Sequence, residues 1–274
     1  MPDDQEPPED AIVSLRNHLN TETGYAVELR VAGKAIQSSA RVDRTRYYAD
    51  PRTKEMRETD VVASWTSRAM PDGVWAQVFL VIECKASPKS PWVVIDDGVE
   101  LNDADAKFQA SIVLSSEFQA DEVGVPNVTG RLSIGRLYNV PDTLFGSSIH
   151  GDKIVTGHRG NKETNDPAWA AVRAAVSASE GVAADLNVSD PGSFRAVRLL
   201  VIPVVVTSGQ LYRAFLDHEG LIDVQPIDRG EVYLRVATAP EIRRVLVVTE
   251  DAVPDLFLQA RKSADLLRDA EVVG

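Results

Sequence analysis

The stretch that most constrains this chain is Val78-Phe79-Leu80-Val81-Ile82, an unbroken apolar run that ends abruptly in Glu83-Cys84-Lys85. Such a run fits a central strand buried on both faces. Charges that close a strand of this kind lie at its mouth, where ligand sites of α/β sheets form. Upstream, Glu58-Thr59-Asp60-Val61-Val62-Ala63-Ser64-Trp65 is a second strand-like run. Between them, Met70-Pro71-Asp72-Gly73 suits a type I turn, with Pro at the second position and Gly at the fourth. The two runs predict a hairpin over roughly residues 58–85.

A turn symmetric about Pro71 and Asp72 sets Asp60 opposite Glu83, with Cβ atoms about 5 Å apart. Alternation then puts Lys85 and Glu58 on the face of that pair and turns Cys84 into the sheet, as a small buried hydrophobe rather than a nucleophile. A three-residue loop with a bulge at Gly73 is an equally common solution. A slip of one residue would carry Asp60 to the opposite face. Facing carboxylates repel unless a proton or a cation sits between them. Mg²⁺ suits paired oxygen ligands, because it keeps its waters and binds through one or two carboxylates plus substrate phosphate. A neighbouring lysine can position a water or offset the charge of a phosphorane. These are the parts for metal-assisted phosphodiester hydrolysis. The plainer reading of Glu-x-Lys on a strand is a solvated face with a weak ion pair; the buried run that precedes Glu83 weighs against it.

Asp60 followed after a hairpin by Glu83-Cys84-Lys85 resembles the PD-(D/E)XK nuclease superfamily, the restriction-endonuclease-like fold. The likeness extends over Arg57 to Ala63, Leu80 to Ser87 and Pro91 to Val94. It implies a mixed β-sheet flanked by helices, with Asp60 and Glu83 as metal ligands and the Cys84 backbone carbonyl as a further one. Lys85 would assist the attacking water, and the cofactor would be Mg²⁺ or Mn²⁺. Thr59 stands where the pattern's name has proline. The family often adds an acidic residue from its first helix, for which Glu9 is the nearest candidate. The expected function is a metal-dependent endonuclease acting on DNA, within a bacterial restriction or defence system. The alternatives are a non-catalytic binding or scaffold module that keeps the fold, and a subunit of a larger defence assembly, active only with a protein partner or as a homo-oligomer.

Composition bounds these readings. The chain of 274 residues is 44% hydrophobic and 26% charged, enough for a substantial core in an ordinary globular protein. A single cysteine rules out an internal disulfide and fits the cytoplasm. No run approaches the roughly 18 apolar residues of a membrane span. Met1 to Asp10 is acidic and Pro-rich, unlike a signal peptide. The net charge of -12 disfavours loose, charge-driven DNA binding. Nucleic-acid binding would therefore need a local basic patch, for which Arg41, Arg44, Arg46, Arg52, Lys54 and Arg57, interleaved with Tyr47 and Tyr48, are the candidates.

Along the chain, residues 1–8 read as a disordered tail and residues 9–274 as one nuclease-like domain. Ile12, Leu15 and Leu19 predict a first helix over residues 9–20. Val27, Leu29 and Val31, alternating with Glu28 and Arg30, predict a strand over residues 25–36. Residues 91–95 read as a short strand and residues 104–117 as a helix. Residues of about 96–165 read as an insertion into the core fold. Asn165-Asp166-Pro167 predicts a helix start. Strands are predicted over residues 195–207, with Pro203 marking a bend or an edge, and over 210–216, 231–237 and 244–249. A last amphipathic helix covers residues 255–270. His150 and His158 lack a second ligand pair for zinc, and residues 156–160 lack the phosphate-loop pattern.

Overall fold

The computed structural model describes residues 9–21, 24–67, 73–87, 89–96, 112–115, 149–151, 153–156, 166–186, 196–235 and 242–269. The predicted residue 1–8 tail lies outside them. Two helices, α1 (Glu9–Thr21) and α2 (Gly24–Gln37), lead into strands β1 (Arg41–Ala49), β2 (Met56–Thr66), β3 (Val74–Lys85), β4 (Trp92–Ile95) and β5 (Ile112–Ser115). Strands β6 (Ile149–Gly151) and β7 (Lys153–Thr156) precede helix α3 (Pro167–Asp185). Strands β8 (Ala196–Thr207), β9 (Leu211–Leu216), β10 (Ile222–Ile227), β11 (Arg229–Arg235) and β12 (Ile242–Thr249) follow. A 3-10 turn over Glu250–Ala252 and helix α4 (Val253–Asp269) complete the described chain.

The fold is mixed α/β. Among the described residues one sheet runs β1-β2-β3-β8-β12-β11-β6, with β5 on β8, and a second runs β10-β9-β4-β7. The hairpin expected from the sequence is present: β2 and β3 are antiparallel from Val61 opposite Ile82 to Thr66 opposite Gln77. Ser67 N then donates to Ala76 O at 2.8 Å, and Gly73 takes a φ of 75°. Strand β3 pairs in parallel with β8 along its whole length, Val74 with Ala196 through Lys85 with Thr207. Both strands are apolar on both faces because both faces are covered.

On one face α2 and α4 bury Val27, Val31 and Ala35, and Phe257, Ala260 and Leu267, against Val61, Trp65, Leu80, Ile82, Leu200 and Ile202. Trp65 and Phe257 pack with ring centroids 5.2 Å apart. On the other face α3 covers Val62, Phe79, Val81, Leu199 and Val201, with Tyr48 between them. Further along, α3 and the second sheet (Trp92, Val94, Leu211) close over Val205, Val245 and Val247. Helix α3 begins where Asp166-Pro167 predicts: the Asp166 carboxylate accepts from the N–H groups of Ala168 and Trp169. Across β11 and β12, Glu231 and Arg244 form a buried ion pair.

Three local expectations are corrected. The residue 25–36 stretch is helix α2, not a strand. Its buried residues Val27, Val31 and Ala35 repeat at helical spacing, while Leu29 is 54% exposed. The tertiary face therefore decided between two periods that the sequence fits almost equally. Within the helix expected over residues 104–117, the described residues 112–115 form β5, antiparallel to β8. Pro203 does not mark an edge strand: β8 pairs with β3 along its whole length, Pro203 opposite Val81, and on its other side with β5 up to Val201 and with β12 from Val204 among the described residues. Within the stretch read as an insertion, β5 joins β8, β6 joins β11 and β7 joins β4. His158 and residues 157–160 lie outside the described residues.

Helix α3 lies very close to the sheet at Gly181, where an added Cβ would meet Tyr48 Cδ2 at 2.3 Å. That contact lets the Ala-rich helix sit on the ring. Gly181→Val should displace Tyr48 and lower stability by about 1–3 kcal/mol, a fall of several degrees in Tm by calorimetry. An unchanged Tm would show that the helix rides elsewhere.

Candidate functional site

The C-terminal ends of β3, β8 and β12, at Lys85, Thr207 and Thr249, gather at one edge of the first sheet. Glu83 and Lys85 finish β3 there, and Asp60 comes alongside on β2. The ladder between β2 and β3 stops at Val61 and Ile82, one step before Asp60 and Glu83 would pair. Instead the Asp60 carboxylate takes the place of a ladder acceptor: its Oδ2 accepts from Cys84 N–H at 2.6 Å. Lys85 Nζ donates to Glu83 Oε1, also at 2.6 Å. Cys84 turns its thiol into the core at 2% exposure, where burial raises its pKa well above the ordinary thiol value. Cys84 is therefore a packing residue, with no nucleophilic character.

The strand on the other side of Asp60 is distorted too. The β1–β2 ladder pairs Arg44 with Val61 and Arg46 with Thr59, but Thr45 and Asp60 between them are not paired. Thr45 has a φ of 56°, unusual for a β-branched residue. Val42 packs with the core cluster under α2 and α4, whereas Tyr48 packs under α3. Strict alternation would put these two even-numbered residues on one face, so β1 inverts between them, at Thr45. Holding such a backbone costs about 1–3 kcal/mol. The result is that Asp60 is released from both neighbouring ladders and its side chain turns to the strand mouth.

A third carboxylate arrives from α2. Glu28 Oε1 and the Cys84 carbonyl oxygen lie 3.7 and 3.9 Å from the point where a side chain on Gly24 would begin. The sequence pattern places Glu28 on the polar side of a strand over residues 25–36 and so does not mark it as a site residue. Read as a helix, the Val27-Val31-Ala35 stripe sets Glu28 at its border, and that was the available signal. Glu9 opens α1, which packs on α2 and is exposed from Asp10 to Leu19; the helix carboxylate brought to this edge is Glu28.

Burial is the largest influence on all three carboxyls, and it holds each above the ordinary carboxylate range. For Glu83 and Glu28 the next influence is the negative charge of Asp60. At Asp60 the Cys84 N–H and the Lys85 charge oppose the burial. Burial alone would depress Lys85, but Glu83 and Asp60 win and raise it, so the ammonium is held protonated. Among the described residues no three or more His, Cys, Asp or Glu side chains form a group that could hold a metal ion. Asp60, Glu83 and the Cys84 carbonyl, with Glu28 beside them, instead offer the sparse, hard-oxygen donor set that Mg²⁺ accepts alongside its own waters.

The candidate basic residues divide. Arg44 brings positive charge to Glu28. Arg57 holds Asp50 at 3.1 Å, and Arg46 reaches Asp185 at 3.5 Å. Arg52 and Lys54 are exposed in the β1–β2 loop. Arg41 pairs with Ser64, four residues along β2 from Asp60 and about 13 Å away. No protein-family model, no curated protein and no solved structure matches this chain.

The raised carboxyls carry a stability consequence. A carboxyl whose folded pKa exceeds its unfolded one contributes stability below the unfolded value, near 3.9 for Asp, and loses it as the pH rises through the folded value. At neutral pH the ionised Asp60 is therefore a cost. Asp60→Asn, which keeps an oxygen acceptor for Cys84 N–H, should unfold at an equal or higher temperature than wild type at pH 7 in EDTA. The gain should vanish below about pH 4. Thermal melts across that range check it, and a lower Tm at pH 7 would contradict the repulsion.

Proposed function

We propose that this protein is a metal-dependent endonuclease that hydrolyses phosphodiester bonds in DNA, built on a restriction-endonuclease-like fold. The observation that carries the reading is the Asp60 carboxylate held on the Cys84 N–H at the mouth of β3, beside the Glu83–Lys85 pair, with Glu28 of α2 within the electrostatic field of Asp60 and Glu83. Such a group of mutually repelling carboxylates is relieved by a divalent cation. Asp60, Glu83 and the Cys84 carbonyl would hold Mg²⁺ or Mn²⁺, with Glu28 beside them. When bound, that ion supplies positive charge that polarises the scissile phosphate and lowers the pKa of a water.

The other steps belong to this chain. Asp60 is fixed by the Cys84 N–H through Oδ2, which would leave Oδ1 to take a cation. Lys85, which donates to Glu83 at 2.6 Å, acts as a hydrogen-bond donor and charge stabiliser. It orients the attacking water and offsets charge on the phosphorane. The water oxygen bonds to phosphorus as one ester P–O bond breaks, and the leaving oxygen takes up a proton. The products are a phosphate monoester end and a hydroxyl end.

The 2.6 Å pairing of Lys85 with Glu83 supports a second reading, because it balances two of the charges with no cation at all. On that reading the chain is a non-catalytic module that keeps the fold.

Divalent titration and a cleavage assay separate the two. With Mg²⁺ or Mn²⁺ a hundredfold above its Kd, the nuclease reading expects stabilisation of about 2.7 kcal/mol, lost in Glu83→Gln. Linear duplex, circular and single-stranded DNA serve as substrates. Asp60→Ala and Lys85→Ala should each cut the rate by about 100-fold or more, and Glu28→Gln by about tenfold or more, with unchanged circular dichroism. Lys85→Ala cleaving as fast as wild type would end the mechanism. No metal stabilisation and no cleavage would leave the non-catalytic module.

A further inference from the structure

We infer that the groove between the β1–β2 loop and α3 is the subsite for an unpaired nucleotide of the substrate strand, adjacent to the scissile phosphate. Its placement beside a scissile bond rests on the nuclease reading above; its chemistry does not. The groove has a volume of about 540 Å³ and is walled by Arg52, Arg57, Trp169, Arg173, Ser177 and Asp50.

The two carboxylates that line it are already engaged. Asp50, 4% exposed, accepts on Oδ1 from the N–H groups of Arg52 and Thr53, at 2.9 and 3.1 Å. Its Oδ2 accepts from Ser177 Oγ at 2.9 Å and is paired with Arg57 at 3.1 Å. These bonds brace the loop on α3. Glu180, at the far end of the wall, is paired with Arg243 at 3.1 Å. The guanidiniums of Arg52 and Arg173 are exposed and make no ion pair with any described carboxylate. The groove therefore presents outward positive charge on a protein whose net charge is -12. Anion binding is concentrated there rather than spread over the surface.

Trp169 gives the wall its second property. Half-buried against the core of α3, it carries an indole beside two uncompensated guanidiniums. Base on aromatic with cations at the backbone is the pattern by which single strands are held, because an unpaired base has a free π-face and a duplex base does not. The groove also adjoins the carboxylates. Arg57 sits opposite Tyr48 across β1 and β2 and lies three residues, or about 10 Å, from Asp60. Buried Tyr48 hydrogen-bonds Ser177 and lies within the field of both Asp50 and Glu83, so one side chain joins the groove wall to the site.

The test is fluorescence anisotropy with the full chain in EDTA, using a fluorescein-labelled oligothymidine and a blunt duplex of equal length. The wild type should bind the single strand more tightly than the duplex. Trp169→Leu, which keeps the core filled, should weaken single-strand binding about tenfold. Arg52→Ala and Arg173→Ala, both at exposed positions, should each weaken it severalfold and flatten the salt dependence by about one phosphate contact. Three variants that bind like wild type, or a duplex bound as tightly as the single strand, would overturn the inference. Because EDTA removes catalysis, groove binding without metal-dependent cleavage keeps this inference and removes the nuclease reading. Cleavage with groove-independent binding does the reverse.

Discussion

The parallel pairing of β3 with β8 is the contact on which the rest of the molecule depends. Twelve consecutive residue pairs run from Val74 with Ala196 to Lys85 with Thr207. Parallel strands expose apolar side chains on both faces and are stable only when both faces are covered. That requirement places α2 and α4 on one side, and α3 with the second sheet on the other. It also fixes where chemistry can happen. The middle of this ladder, Val78 to Ile82 on β3 against Leu200 to Val204 on β8, is wholly apolar, and its charges lie towards the two ends: Arg198 near the start, where its guanidinium donates to the carbonyls of Leu267 and Arg268, and Glu83 and Lys85 at the finish. The charged edge is a boundary condition of the core.

A second constraint acts across the strands. A perfectly regular β1-β2-β3 sheet would have bound the backbone of Asp60 on both sides and pinned its side chain to one face. The left-handed Thr45 and the early end of the β2–β3 ladder remove those pairings. The chain accepts local strain and two missing ladder pairs. In return one carboxylate caps the Cys84 N–H and is oriented by that bond. The bracing is purchased from packing elsewhere: Tyr48, three residues beyond the inversion, is clamped under Gly181 of α3.

How much of this is legible in the sequence follows from which period each segment obeys. The apolar run at Val78–Ile82 and the turn signal of Met70-Pro71-Asp72-Gly73, of which residues 70–72 lie outside the described residues, imply a hairpin whose register agrees with the observed pairing from Val61 with Ile82 onward. Asp166-Pro167 marks its helix start because capping is a local interaction between residues two and three apart. The α2 segment defeats the same method. Val27, Leu29 and Val31 satisfy a period of two, Val27, Val31 and Ala35 a period near four, and only the sheet beneath decides. The error had a functional cost, since it hid Glu28. Thr45 was illegible for a different reason: a backbone inversion leaves no trace in side-chain hydrophobicity. The joining of β5, β6 and β7 to three distant strands is likewise non-local, and their pieces of three or four residues are too short to carry a period.

The charge arrangement at the strand mouth has an internal logic that sets the order of events. Without a cation, Lys85 brings its positive charge to the carboxylates through a direct bond to Glu83. Glu83 and Asp60 raise its pKa, while burial alone would lower it. A divalent ion drawn onto Asp60 and Glu83 would compete for those same oxygens and cancel the negative field that keeps the lysine charged. The ammonium would then be freed from Glu83 and its pKa would fall back towards what burial dictates. Glu83 would thus be the shared partner for which cation and lysine compete. On the nuclease reading, Lys85 becomes available to a water or a phosphate oxygen only once that competition has been won.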